Sequence, residues 1–271
     1  MLNRNLIDNL LPEEIISLYQ WITVKEVETE TAFTAIHIAM ALVKKNKNLL
    51  FVDLDSSAII KRFFDLPEPR SVLDITTLNI KYVNEAIIKS VKGVDFLSIN
   101  TDFFNPNDSV AQIRYTARGL NALLDTLKLH YDYIFIACGN ENPLLMDLSL
   151  MAADSVLILD PINVSCHHFK KKDSVKHFLL QRHRIFETYG HRVTLKGIVF
   201  FNWKNSSIYN HSYRRYLKET YSNAIKIYDT ELPCVHDAEE LILQKQTLFE
   251  SDPYGFEARR YILFAMELMF L

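Results

Sequence analysis

Glycine is scarce in this chain. There are six in 271 residues, and the first is Gly93, so any tight turn before that point is built without the residue that most readily takes positive φ. Cysteine is scarcer still: Cys138, Cys166 and Cys234 are odd in number, far apart and without C-x-x-C spacing, which argues against a disulfide framework and a zinc site. Long apolar runs are missing too, and no stretch reaches the roughly 18 residues of a membrane span. The opening MLNRNLIDNLLPEEIISLYQW is broken by Arg4, Asp8, Glu13 and Glu14, so it lacks the apolar core of a secretion signal. A cytoplasmic setting is expected. No internal repeat and no linker rich in Gly, Pro or Ser divides the sequence.

What remains is a chain that is 49% hydrophobic and long enough for one large core. Apolar runs alternate with helical patterns, which is the mark of repeated βαβ units. The expected fold class is doubly wound α/β, a mostly parallel sheet with helices on both faces. Strands are expected at Trp21 to Val24, Leu49 to Asp53, Phe96 to Ile99, Tyr133 to Ala137, Ser155 to Leu159 and Gly197 to Phe201, with a further short one at Ile225 to Tyr228. Helices are expected at Thr31 to Lys45, Val83 to Ser90, Asp108 to His130, Phe169 to Tyr189, Ser212 to Tyr221 and Phe256 to Phe270. Pro12 followed by Glu13 and Glu14 reads as a first helical turn, giving an N-terminal helical extension at 1–20 ahead of a single domain at 21–271.

The net charge of −3 conceals a segregation of sign. Between Cys166 and Thr220 there are twelve Lys and Arg against three Asp and Glu, and six of the nine histidines. Lys170, Lys171, Lys172, Lys176, Arg182 and Arg184 spread over the solvated side of one helical pattern, and Arg214, Arg215 and Lys218 follow on another. A surface for an anionic partner is implied, against the plain alternative of two soluble basic faces.

In open α/β sheets ligands gather at the carboxyl ends of the strands, so Lys25 to Ala32 is the first corner to consider. A phosphate cradle there needs inward-pointing N–H groups on glycines, a lysine for the terminal phosphates and a hydroxyl for magnesium. TVKEVETETAFTAI has no glycine and carries Glu26, Glu28 and Glu30 instead.

The flanks nevertheless resemble a known family. TVKEVETETAFTAIHIAMALVKKNKNLLFVDLDSS is similar to the opening of ParA/MinD-type P-loop ATPases, in which ITV is followed by KGGVGKTT and TAINLAAALAKRGKRVLLIDLDPQ. The similarity continues through PEPRSVLDI, GVDFLSINTD, YDYIFIACGNENP, ADSVLILDP, LKGIVFFNW and TELPCVHDAEELILQKQTLFESDP, covering nearly all of the chain after residue 20.

The resemblance implies a ParA/MinD-like fold and carries residues over one by one. Glu26 falls on the family's dimer-crossing lysine, Thr31 on its phosphate lysine and Ala32 on its magnesium-binding hydroxyl. Val27, Glu28, Thr29 and Glu30 occupy the rest of the glycine-rich turn. Ala137 stands where the second acidic motif has Asp. Asp53 and Asp55 keep the DxD pair, with Asp55 read either as strand-end hydrogen bonding or as a water-positioning relic, and Asn202 lies one residue late for the base-contacting Asn. Each carboxylate facing a triphosphate would cost on the order of 1 to 4 kcal/mol at about 4 Å. Without glycines, lysine, hydroxyl and second-strand Asp, little is left to stabilise a phosphoryl-transfer transition state. The expectation is therefore an inactive relative with no nucleotide cofactor. Family resemblance further implies nonspecific binding of the DNA backbone through the basic segment, a ParB-like or other protein partner, and a homodimer, here independent of nucleotide. An ATPase with an unorthodox site and a module whose basic face meets an acidic partner are the alternatives.

Other candidates are weaker. His167 and His168 are adjacent and lack a third ligand by spacing, so no metal is expected. Cys138 has no evident base and reads as a structural thiol. His37 reads as a packed or half-exposed residue in preference to a base, and ARRYILFAMELMFL as a core helix in preference to a membrane-seeking one.

Overall fold

Successive residues in these strands point to opposite faces, and both faces are apolar. The computed structural model describes residues 14–19, 25–54, 59–66, 73–74, 83–100, 109–138, 142–161, 173–201, 208–221, 223–233, 235 and 238–270. In chain order the elements are β1 (Glu14–Tyr19), α1 (Lys25–Val43), β2 (Leu49–Asp53), α2 (Ile59–Phe64), β3 (Leu73–Asp74), α3 (Val83–Ala86), β4 (Ile87–Val91), β5 (Val94–Asn100) and α4 (Val110–Leu127). They continue with β6 (Tyr133–Ala137), α5 (Pro143–Ala152), β7 (Ser155–Pro161), α6 (Ser174–Tyr189), β8 (Leu195–Phe201), α7 (Ile208–Tyr221), α8 (Ala238–Leu243), α9 (Leu248–Ser251) and α10 (Phe256–Met269). The strand order is β3-β5-β2-β6-β1-β7-β8, with β4 added antiparallel to β5 and the other pairings parallel.

Ile15, Leu50, Val52, Ile134, Ile136, Val156 and Ile158 face one core, shared with α4, α5, α6 and α7. Their neighbours Ile16, Leu49, Phe51, Phe135, Leu157 and Leu159 face the other, covered by α1, α2, α9 and α10. The expected class, doubly wound α/β with helices on both faces, is the observed one. The inner face of α10, Ala258, Tyr261, Phe264, Ala265 and Leu268, packs into the second core.

The N-terminal expectation is corrected. Glu14–Tyr19 is no part of a helix; it is the interior strand β1, paired with β6 on one side and β7 on the other. An apolar pair such as Ile15 and Ile16 fits a buried strand as well as a helix, and insertion between two strands decides it, with both side chains fully buried. Glu14 is tolerated at the strand's start because it accepts hydrogen bonds from Ser155 Oγ at 2.5 Å and Lys196 Nζ at 2.5 Å. The strand expected at Trp21 to Val24 lies outside the described residues, as do His167 and His168.

Three smaller differences follow the same logic. Val83 to Ser90 is helical only to Ala86, since Ile87 and Ile88 leave the helix to pair with Leu97 and Phe96 of β5. Helix α5 went unexpected although Asn142 caps it, accepting from Leu144 N at 3.0 Å, and Pro143 sits in its first turn. Ile225 to Tyr228 contributes one bridge, Ile198 to Ile227, rather than a full strand.

The β4–β5 turn places Lys92 and Gly93 at φ 54° and 90°, the two consecutive positive values of a type I′ hairpin. A Cβ at Gly93 would lie 2.6 Å from Val43 Cγ1 of α1. Gly93→Ala is accordingly expected to destabilise the protein by about 2 kcal/mol through strain and overlap. Urea unfolding measures it, and Val43→Ala in the same chain should return part of the loss; no recovery would place the cost in the backbone alone.

Candidate functional site

The carboxyl ends of β1, β2 and β6 come together at one edge of the sheet. Asp53 is in register with Ala137, Leu18 pairs with Ala137 on its other side, and Leu54 N donates to Ala137 O at 2.9 Å. Asp53 is buried, while Ala137 is half-buried and packed against the second core. The two positions that the sequence pairs as acidic motifs are thus neighbours, and one of them is a methyl group.

The corner itself differs from the sequence expectation of a turn. Helix α1 starts at Lys25, so residues Glu26 to Ala32 are helical. From the fifth residue of an α-helix onward, each backbone N–H donates to the carbonyl four residues earlier, which removes the amides of Thr29 to Ala32 from any anion cradle. Acidic residues in the opening turns favour a helix by opposing its positive end, so KEVETET reads as a helix start in place of a glycine turn. Thr31 is buried at 9% exposure, and Ala32 is partly buried against the second core. Asp55 and Asn202 lie outside the described residues.

Further along α1, His37 is fully buried and saturated with contacts. Its Nδ1 donates to Phe33 O at 2.7 Å and its Nε2 accepts from Leu248 N at 3.0 Å, which ties α1 to the start of α9. Rings of Phe33, Phe63, Phe249 and Tyr261 surround it. Burial pushes its pKa down to about 4, so it is a neutral packing residue, the packed one of the two alternatives the sequence left open.

Sequence reasoning missed a second buried cluster, at the end of β7. Asp160 accepts from Ser174 Oγ at 2.5 Å and Tyr213 OH at 2.9 Å, and Asp173 accepts from Tyr216 OH and Tyr221 OH at 2.9 and 2.7 Å while capping α6. Burial raises Asp160 to about 6. The only signal was Asp160 after a continuous apolar strand. The cluster fastens α6 and α7 to the sheet.

The basic segment divides into paired and unpaired cations. Arg184 is ion-paired with the fully buried Asp147. Arg214 meets Glu231 at 2.5 Å and Asp229 at 3.4 Å, and Lys218 meets Asp229 at 3.2 Å. Lys176, Arg182 and Arg215 are exposed and have no acidic partner among the described residues. Lys170, Lys171 and Lys172 lie outside them. Cys138 is half-buried against the first core. Among the described residues no group of three or more His, Cys, Asp and Glu is placed to hold a metal, and no helix is long and apolar enough to cross a membrane.

An interior parallel strand followed by a long helix, with strand-end positions from β2 and β6 beside it, defines the class as a doubly wound, mostly parallel α/β fold. Residues 29–185 match the family model described as an AAA domain. The chain belongs to the ParA/MinD-type P-loop ATPase family. It is 22% identical to a "ParA family protein" of Chlamydia muridarum over 250 residues, 90% of this chain and 94% of that protein. Among solved structures it is similar to an ATP complex of a McdA variant from Cyanothece, with a TM-score of 0.70, 15% identity and coverage of 94% and 95% of the two chains. It is also similar to a putative plasmid partition protein of Borrelia burgdorferi bound to AMPPNP, with a TM-score of 0.65, 18% identity and coverage of 95% and 98%.

Proposed function

We propose that this protein is a ParA-like pseudo-ATPase, a nucleotide-independent scaffold associated with DNA in segregation or cellular positioning. The observation that carries it is the helix running through the corner, where the family sequence pattern has a glycine turn, a lysine and a hydroxyl. Ala137 at the end of β6 supports it from a second strand. Relatives named for plasmid partition, or solved as ATP complexes, give the setting from which this chain departs. With Glu26 at the position of the dimer-crossing lysine, any homodimer forms without nucleotide, and a ParB-like protein is the partner class.

Thermal unfolding with and without millimolar Mg-ATP tests the corner. No shift is expected, whereas a ligand at about 100 times its Kd would stabilise by about 2.7 kcal/mol. A shift abolished by Asp55→Ala would establish an unorthodox ATPase instead. For DNA, Lys176, Arg182 and Arg215, which have no acidic partner among the described residues, together with Lys170 to Lys172 make about six phosphate contacts available. Retention on duplex DNA should then fall with salt at a log–log slope of about −5. Retention indifferent to salt would remove DNA from the proposal.

A further inference from the structure

The opposite edge of the sheet, at the amino ends of the strands, carries a second arrangement that the nucleotide corner does not use. A cavity of about 340 Å³ lies between α4 and the connection from α6 to β8, lined by Arg114, Arg118 and Arg192 among others. A second cavity, of about 420 Å³, adjoins it, sharing His191 and Arg192 and adding Arg182, Leu179 and Phe186.

The local reasons for this shape are plain. Arg114 and Arg118 are one helical turn apart, which puts them on the same side of α4. Gly190 ends α6 in the left-handed conformation, at φ 67°, and leaves the space beside Arg114 clear; a Cβ there would reach 4.0 Å from Arg114 Nη2. Arg192 is held over the Phe186 ring, 5.8 Å from its centroid. Among the described residues Asp154 is the one carboxylate lining the first cavity, and it already faces Lys128 Nζ at 2.8 Å and Ile15 N at 2.8 Å. Burial lowers the pKa of His191, which leaves the arginines as the fixed positive groups. None of the four arginines has an acidic partner among the described residues, unlike Arg184 and Arg214.

We propose that this cleft docks an acidic peptide segment of a partner protein, its carboxylates meeting Arg114, Arg118, Arg182 and Arg192 and one apolar side chain seated on Leu179 and Phe186. Guanidinium forks bind carboxylates in pairs, and four unpaired ones around a concavity complement a short run of Asp and Glu. The apolar floor distinguishes the partner. Phe186 is 43% exposed, and a nucleic-acid backbone offers no apolar group to cover it. The inference is independent of the nucleotide corner, and it shares only Arg182 with the proposed DNA contacts.

Fluorescence anisotropy tests it with the full chain and a short fluorescein-labelled peptide of Asp and Glu carrying one central Phe. Saturable binding is expected, weakened about tenfold or more by Arg114→Ala with Arg118→Ala. Lys44→Ala, an exposed cation on another face, should leave binding unchanged, and the double variant should melt with the parent, since both arginines are exposed and lack acidic partners among the described residues. On the unaltered protein, exchanging the peptide's Phe for Ser should weaken binding several-fold. Absence of saturable binding, or equal binding of the Ser peptide, would overturn the proposal. So would duplex DNA that displaces the peptide and is lost in the same double variant, since the cleft would then be a phosphate-contacting surface.

Discussion

Arg184→Ala is expected to lower the unfolding free energy by about 2 to 3 kcal/mol, a far larger effect than removal of a surface cation. Asp147, its partner, is fully buried in α5 and also accepts from Gln181 Nε2 at 2.6 Å and Tyr189 OH at 3.3 Å. Even with these donors, burial holds the carboxyl's pKa above the ordinary value. Without the guanidinium the carboxylate is left partly uncompensated, and the arginine's own exposure of 44% keeps the cost below that of a wholly buried pair. Asp147→Asn in the Arg184→Ala background should restore much of the loss, because the amide needs no counter-charge. Urea unfolding of the three variants measures this. If Arg184→Ala retained full stability and lost only affinity for DNA, the residue would be a phosphate contact and the structural assignment would fail.

The second large effect is a pair of opposed pH dependences. His37 is held near pKa 4 in the fold against 6.5 for the free side chain, so between those values the unfolded chain binds more protons than the native one. Stability from this residue is complete above about pH 6.5 and is lost as pH falls toward 4, by about 3 kcal/mol in all. Asp160 acts the other way. Its carboxyl is raised from 3.8 to about 6, so the native state binds the extra proton and the contribution is lost as pH rises through that window. The two overlap between about pH 4 and 6, and the intact protein shows a flatter profile there than either residue would give alone. His37→Gln keeps a donor for Phe33 O and an acceptor for Leu248 N while removing the titration. Its stability relative to the parent should improve as pH falls below about 6.5. Asp160→Asn should gain relative to the parent as pH rises from about 4 to 7. Parallel curves for parent and His37→Gln would show that the imidazole titrates alike in both states.

The sequence went furthest where one strand or helix carried its own signature. Leu49–Asp53 and Tyr133–Ala137 are continuous apolar runs of strand length, and both were placed to the residue. Ser109 and Asp173 cap their helices, accepting from Gln112 N and Lys176 N, whereas the sequence pattern started these helices at Asp108 and Phe169 without using the caps. The corner was legible in composition alone: no glycine, three glutamates and no lysine in the expected place. Its conformation was not, because a run such as KEVETET is compatible with a turn or a helix until the helix has somewhere to pack. Here α1 is buried along most of its length, from Phe33 to Leu42, against the sheet and α10.

Charge gave a similar division. The surplus of cations after Cys166 could be counted from the sequence, whereas their pairing could not. Arg184 lies 37 residues from Asp147, and Arg214 lies 17 from Glu231. The cleft is a further case, since Arg114 and Arg118 stand outside the basic segment and join Arg192 only when α4 packs beside the end of α6.

By itself, then, the sequence determined the α/β class, most of the strands and helices, the family, and the absence of glycine from the corner and of lysine and hydroxyl from the positions where the family has them, because each of these is written in consecutive residues. Tertiary structure alone decided that Glu14–Tyr19 is an interior strand, that the corner is helical, and which cations are neutralised and which remain open. Those outcomes depend on burial and on partners distant in the chain, and local pattern carries no information about either.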